Sequence, residues 1–424
     1  MENSDPLTLL KQAFHSDDAK TVQQLFAQFP EMRKRVNDPV PGCDGPPIIW
    51  AKSAAMVDAL ANSGADLNAK NTWWAGGFGV LHYAPPEAAL QALERGAKID
   101  VHAAARLGLF AELKEIILSH PEKVHEPGGD GQTPLHFAST CEIACFLLDH
   151  GAKIDAIDID HESTPAQYMV KDRQEVAAGL INRGCKTDIL MAAALGLKSL
   201  VDHHLKNNPN AIRMRVTEEF FPMVGKKSGG TIYQWTLGWH VSPHQVAQNF
   251  GHQSLCEYLM DNSPLDVQLV NACWLGDSAR TSALIRSHPG LTKTLLPPDV
   301  NQLAHAARNN NLDAVRLMLS AGWSPKTSAS QHGATALHWA AWHGNVEMLK
   351  LILDHEPDME ARDLDFKITA LGWALYASNN GWGSKNADYV QAVKTLLTAG
   401  AMIPEKVAGR VDVVRAVTSF KANS

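Results

Sequence analysis

The sequence predicts an all-α solenoid of stacked helix–turn–helix units with short β-hairpin tips, and three observations carry that expectation. A phrase recurs along the C-terminal half: LVNACWLGD from Leu269, QLAHAARNN from Gln302, TALHWAAWHGN from Thr335 and TALGWALYA from Thr369. Successive copies begin about 33 residues apart, the period of stacked helix pairs. Start and stop signals for short helices recur with it, and no single helix carries enough apolar surface to bury alone, so each unit leans on its neighbours.

The unit GQTPLHFASTCEIACFLLDHGAKIDAID (131–158) shows the physics. Thr133 is a helix cap, and Pro134 stands at the first helical position, where a missing N–H costs nothing. A second helix carries Ile143, Phe146 and Leu147 and stops at Gly151, the residue type that best takes a left-handed C-terminus. Residues 153–158 then alternate polar residues with Ile154 and Ile157, as an exposed hairpin would. This unit, and GATALHWAAWHGNVEMLKLILDHEPDMEARD (333–363), resemble the ankyrin repeat.

Taken in chain order, residues 1–45 read as an N-terminal helical cap, a pair at 6–15 and 19–29 that ends near Pro30. Residues 46–216 read as divergent ankyrin-like repeats, with units at 46–71, 79–100, 101–124, 131–158, 163–188 and 189–212. Periodicity breaks at RMRVTEEFFPMVGKKSGGTIYQWTLG, so residues 217–241 read as an aromatic, Gly-rich insertion, a loop or hairpin. Repeats resume over 242–404, interrupted at 378–388 by SNNGWGSKNAD. Residues 405–424 read as a closing helix with Val407, Val411, Val414 and Val417 on its apolar side.

Composition narrows the function. The 424 residues carry 38 Lys+Arg against 45 Asp+Glu, a net charge of -7, with no basic run, which argues against nucleic acid as a partner. No apolar stretch is long enough to span a membrane, and MENSDPLTLLKQAFHSDD lacks the basic flank and apolar core of a signal peptide. A cytoplasmic protein is expected. The six cysteines form no CxxC pair and sit in apolar helical stretches, as small core residues do.

No metal site and no cofactor are expected. His338 and His343 are five residues apart, about 140° around a helix. Pro243 breaks a helical His240–His244 pair, and adjacent His203 and His204 diverge. VGKKSGG has Phe220 where a phosphate loop needs its first Gly, GGFGVLH lacks a closing Gly, and no GxSxG elbow occurs.

What the resemblance implies is a concave face lined by the two residues after the Ala-Ala of each first helix, together with the tips. In the first half these are Arg106 and Leu107, Thr140 and Cys141, Ala194 and Leu195. In the second half they are Trp274 and Leu275, Arg308 and Asn309, Trp342 and His343, Tyr376 and Ala377. The second set is the richer in residue types that dominate binding hot spots. The insertions add Trp235, Trp239, His240 and Trp382, and the tip TWWAGGFG adds Trp73, Trp74 and Phe78. Trp50, Trp339 and Trp373 fall at apolar helix positions and belong to the core, while Trp342 falls on the exposed side. His136 and His338 hold the family's T-P-L-H histidine, a structural hydrogen-bonding residue.

The function expected is a binding scaffold for a protein or peptide on the concave face. The alternative is a small-molecule or carbohydrate pocket in the same groove, with an enzymatic version in which Glu218 or Glu219, buried against Phe220 and Phe221, pairs with His343. Binding alone is the default.

Overall fold

Helix signals in the sequence become helix ends in the computed structural model, which describes residues 6–39, 44–329, 332–381 and 387–423. In the unit at 131–158 the helices are Pro134–Phe137 and Cys141–Asp149. The Thr140 hydroxyl accepts the Ile143 N–H at 3.2 Å and opens the second helix. Gly151, at φ +96°, closes it. Its N–H bonds to the Leu148 carbonyl while the Ala152 N–H reaches Leu147, so two terminal carbonyls are satisfied.

The chain divides into two compact units, one of residues 1–204 with 214–241 and one of residues 205–213 with 242–424. In the second, the helices pair as Gln302–Arg308 with Leu312–Ser320, Ala336–Trp342 with Val346–Leu353, and Ala370–Asn380 with Tyr389–Thr398. Asn311, Asn345 and Asp388 each cap the second helix of a pair. Leu303, Leu337 and Leu371, one from each first helix, bury together with Met318, Leu349, Ile352, Val393 and Leu396 from the second helices.

Histidine joins one repeat to the next. His136 Nδ1 accepts the Thr133 N–H at 3.1 Å, and its Nε2–H donates to the Ser163 carbonyl at 3.2 Å. His338 repeats this with Thr335 (3.2 Å) and Ile368 (3.2 Å). One ring thus caps its own helix and ties down the following tip, the structural role expected of both residues.

Where short β-hairpins were expected, the described residues show turns and two isolated bridges, Lys70 with Gly79 and Ser328 with Thr335. Side chains take the amides that a ladder would use. The Asp363 carboxylate accepts the N–H groups of Asp365 (3.0 Å), Phe366 (2.6 Å) and Ile368 (3.0 Å).

The ends follow the same logic. The N-terminal pair is Pro6–His15 and Ala19–Gln28. The last helix is Val411–Asn423, and its buried stripe is Val413, Ala416 and Val417. Val411 is exposed instead of packed, because it lies about 200° around the helix from Val413, and Val407 precedes the helix.

The insertion in the first unit carries only a short helix, Tyr233–Thr236, among turns. Its base is closed by Val216 N–H to the Val241 carbonyl and His240 N–H to the Val216 carbonyl. Its tip docks on the turn at 158–163. There Glu162 accepts the N–H groups of Val224 (2.9 Å) and Gly225 (2.6 Å), and the Ile232 N–H donates to Ser163 Oγ at 3.1 Å. Tyr233, fully buried, donates its hydroxyl to Asp188 at 2.9 Å. The insertion is therefore a clasp on a repeat tip.

Candidate functional site

Four residues of the second unit, Trp274, Arg308, Trp342 and Tyr376, occupy the same position of successive first helices, 34 residues apart. Small residues precede each of the middle two: Ala306 and Ala307, then Ala340 and Ala341, are fully buried, so neighbouring first helices approach closely and these larger residues follow one another repeat by repeat.

Burial separates the four. Trp274 is buried, and its indole N–H donates to Gln302 Oε1 at 3.0 Å, so the ring belongs to the core rather than to an exposed face. Arg308 is half-buried, with its guanidinium carbon 5.2 Å from the centroid of the Trp339 ring, a cation–π contact. Asn309, next in sequence, is exposed. Trp342 is half-buried, edge-on to Trp373 at 5.7 Å and stacked on Tyr376 at 6.2 Å with 28° between the planes. Tyr389 braces it from behind by donating its hydroxyl to the Trp342 carbonyl at 2.9 Å. Tyr376 keeps 55% of its surface exposed.

Trp339 and Trp373 are buried edge to face at 4.9 Å, and the Trp373 indole donates to Asp363 at 3.1 Å. They form the floor on which the Trp342–Tyr376 stack rests. The repeat phrase did not mark Gln302, Asp363 or Tyr389 as the groups that fix these rings, because each acts on a ring 10 or more residues away in the chain.

The carboxylate–histidine pairing is not supported. Glu218 and Glu219 are both exposed, so the burial that a general acid required there is missing. His343 is buried and donates Nε2–H to the Arg308 carbonyl at 2.7 Å, and burial pushes its pKa below the ordinary histidine value. That ring serves as a strut between repeats, in its neutral form.

In the first unit, Arg106 is half-buried and donates to the carbonyls of Leu81 (3.1 Å) and Ala84 (2.6 Å), which engages it with the preceding repeat. His240 is buried at φ +62°, with Trp239 half-buried edge-on to it at 5.0 Å. Trp235 is 68% exposed. Trp73 and Trp74 stand exposed and tilted together at 6.5 Å. Trp382 lies outside the described residues. A cavity of about 400 Å³ in this unit is lined by Leu10, Phe14, Phe26 and Met32 among others, none of them a residue singled out from the sequence.

Comparison with known proteins agrees with the repeat fold. The family described as Ankyrin repeats (3 copies) matches residues 243–363 and 303–406, and Ankyrin repeat matches residues 130–159. The chain is 22% identical over 243 residues to the E3 ubiquitin-protein ligase KEG of Arabidopsis thaliana, a match that covers 53% of this chain and 15% of that protein. No helix among the described residues is long and apolar enough to cross a membrane.

Proposed function

We propose that this chain, an ankyrin-repeat protein, is a binding scaffold whose second unit holds a protein or peptide partner on the surface formed by Arg308, Asn309, Trp342 and Tyr376. Ankyrin repeats are generally protein–protein interaction modules. The observation that carries the finer reading is the Trp342–Tyr376 stack. It sits on a tryptophan floor that is already packed, yet leaves more than half of Tyr376 in solvent. Rigid aromatic surface beside an arginine is what hot spots are made of, and the core gains little from the exposed half of that ring. Trp274 and His343 support this surface from within. Assignment to the cytoplasm rests on the unpaired thiols of Cys141, Cys145, Cys185, Cys256 and Cys273.

The test is site-specific photocrosslinking. A benzophenone amino acid placed at Tyr376, and separately at the exposed Lys350 of the adjoining second helix, is irradiated in lysate. The expected result is a discrete adduct at 376 that excess unlabelled protein competes away and that Trp342→Ala weakens, with no such adduct at 350. Equal adducts at both positions refute the surface, and an adduct from 376 that only sugars or small metabolites compete away moves the function to the pocket reading.

A further inference from the structure

Two consecutive repeat tips of the first unit and the clasp bring together three groups that no helical spacing in the sequence relates. One ligand atom each from Asp130, Asp160 and His161 lies within 4.8 Å of the other two. Backbone bonds build the arrangement. The Asp130 carbonyl accepts the N–H groups of Ile159 (2.8 Å) and Asp160 (3.3 Å), which holds one tip against the next. Asp158 fixes the turn from below: it accepts the N–H groups of His161 and Ser163 at 2.7 Å each and the Tyr168 hydroxyl at 3.0 Å, so its oxygens are occupied.

The clasp then orients the donors. His161 is only 9% exposed and donates Nδ1–H to the Gly230 carbonyl at 2.7 Å. That bond leaves Nε2 as the ring nitrogen that faces the cluster, the orientation in which a metal-ligating histidine is held. Nε2 faces Asp160 Oδ2 at 3.7 Å, beyond hydrogen-bond reach, and no described residue hydrogen-bonds to either atom. Asp160 is only 5% exposed; its other oxygen accepts the Gly229 N–H at 3.0 Å. A side chain at Gly229 would place Cβ 3.3 Å from that oxygen, a tight contact, so the loop backbone packs closely on the carboxylate. Gln132 reaches Asp130 Oδ2 at 3.4 Å.

Two carboxylates thus converge with an imidazole in a largely buried site, and among the described residues no lysine or arginine forms a salt bridge with Asp130, Asp158 or Asp160. A bound cation would offset the two converging carboxylates. We propose that Asp130, Asp160 and His161 bind one divalent transition cation of the Zn²⁺ or Mn²⁺ type, which locks the clasp onto two repeat tips. Ligands about 2.1 Å from zinc stand roughly 3.4 Å apart at tetrahedral angles, close to the 3.7 Å between His161 Nε2 and Asp160 Oδ2. Asp130, with an oxygen within 4.8 Å of both, supplies the third ligand. Magnesium and calcium take six or more oxygens, so the imidazole selects against them.

The test uses the full chain after chelation and dialysis, titrated with ZnCl₂ by calorimetry and checked by elemental analysis. One saturable equivalent is expected, with affinity at least tenfold weaker in Asp160→Asn and in His161→Gln, and a thermal midpoint that zinc raises in the parent protein and not in Asp160→Asn. Parental affinity in both variants, or no saturable uptake by the parent, overturns the proposal. Cobalt absorbance of the unaltered chain provides a readout free of any folding defect in the variants. Visible bands of a four- or five-coordinate nitrogen and oxygen site are expected, whereas the spectrum of aqueous cobalt or a thiolate charge-transfer band overturns it.

Discussion

Leu349→Ala and Tyr376→Ala separate the core of the second unit from its working surface. Leu349 is fully buried in the helix Val346–Leu353, among Met348, Ile352 and the facing first helices. Truncation removes three carbons from a site closed on all sides, and such changes cost about 2 to 5 kcal/mol. Tyr376 loses a stacking contact with Trp342 but was more than half exposed, so its truncation costs at most about 1.5 kcal/mol. For a unit of this size each kcal/mol moves the midpoint by roughly 2 to 4 °C. Leu349→Ala therefore lowers it by about 4 to 20 °C and Tyr376→Ala by no more than about 6 °C. Scanning calorimetry is the assay, because two compact units need not melt together and a single optical midpoint would blend them. Partner capture should fail in Tyr376→Ala and survive in Leu349→Ala below its melting point. Equal losses of stability, or capture that survives Tyr376→Ala, would refute the division into core and face.

Two further outcomes follow from the geometry. Burial holds His136 neutral, with its pKa lowered to about 4 against 6.5 for a free ring. The unfolded chain therefore takes up a proton that the folded one refuses, and stability falls as pH drops from about 6.5 to about 4, by about 3 kcal/mol for this group alone. Urea midpoints at several pH values should show a shallower acid loss in His136→Gln than in the parent, and parallel curves would remove the ring from the account. Trp274→Phe strips the indole N–H from Gln302 and leaves a buried acceptor unmet, which should cost about 1 to 3 kcal/mol with partner affinity unchanged, read by calorimetry and crosslinking; lost affinity at full stability would return Trp274 to the binding surface.

Much of the fold was legible because its signals are local. Gly151 takes the left-handed angle that its position after Leu147 and Leu148 suggested, and His136 and His338 make the bonds that their place after Thr133 and Thr335 implied. The candidate site was legible only as a register. The repeat register put Trp274, Arg308, Trp342 and Tyr376 at one position, yet could not say that one of them is buried against Gln302 while another stands in solvent. The closing helix shows the same limit: a valine every three or four residues marked an apolar face, but packing chose the face of Val413, Ala416 and Val417, which leaves Val411 outward.

The sequence by itself determined the repeat, its caps, its stops and the core leucines, since each depends on residues within one or two turns of chain. Tertiary structure alone decided which aromatics face water, why Glu218 and Glu219 stay solvated, and how the insertion folds. It also decided the meeting of Asp130, Asp160 and His161, two of them adjacent and one about 30 residues away. That meeting depends on backbone bonds between neighbouring tips and on the backbone N–H of Gly229, in a loop some 70 residues further along. Periodicity gives the contact between tips, which recurs in the second unit as Leu364 N–H to the His332 carbonyl, but it cannot encode which side chains an inserted loop brings against one pair of tips.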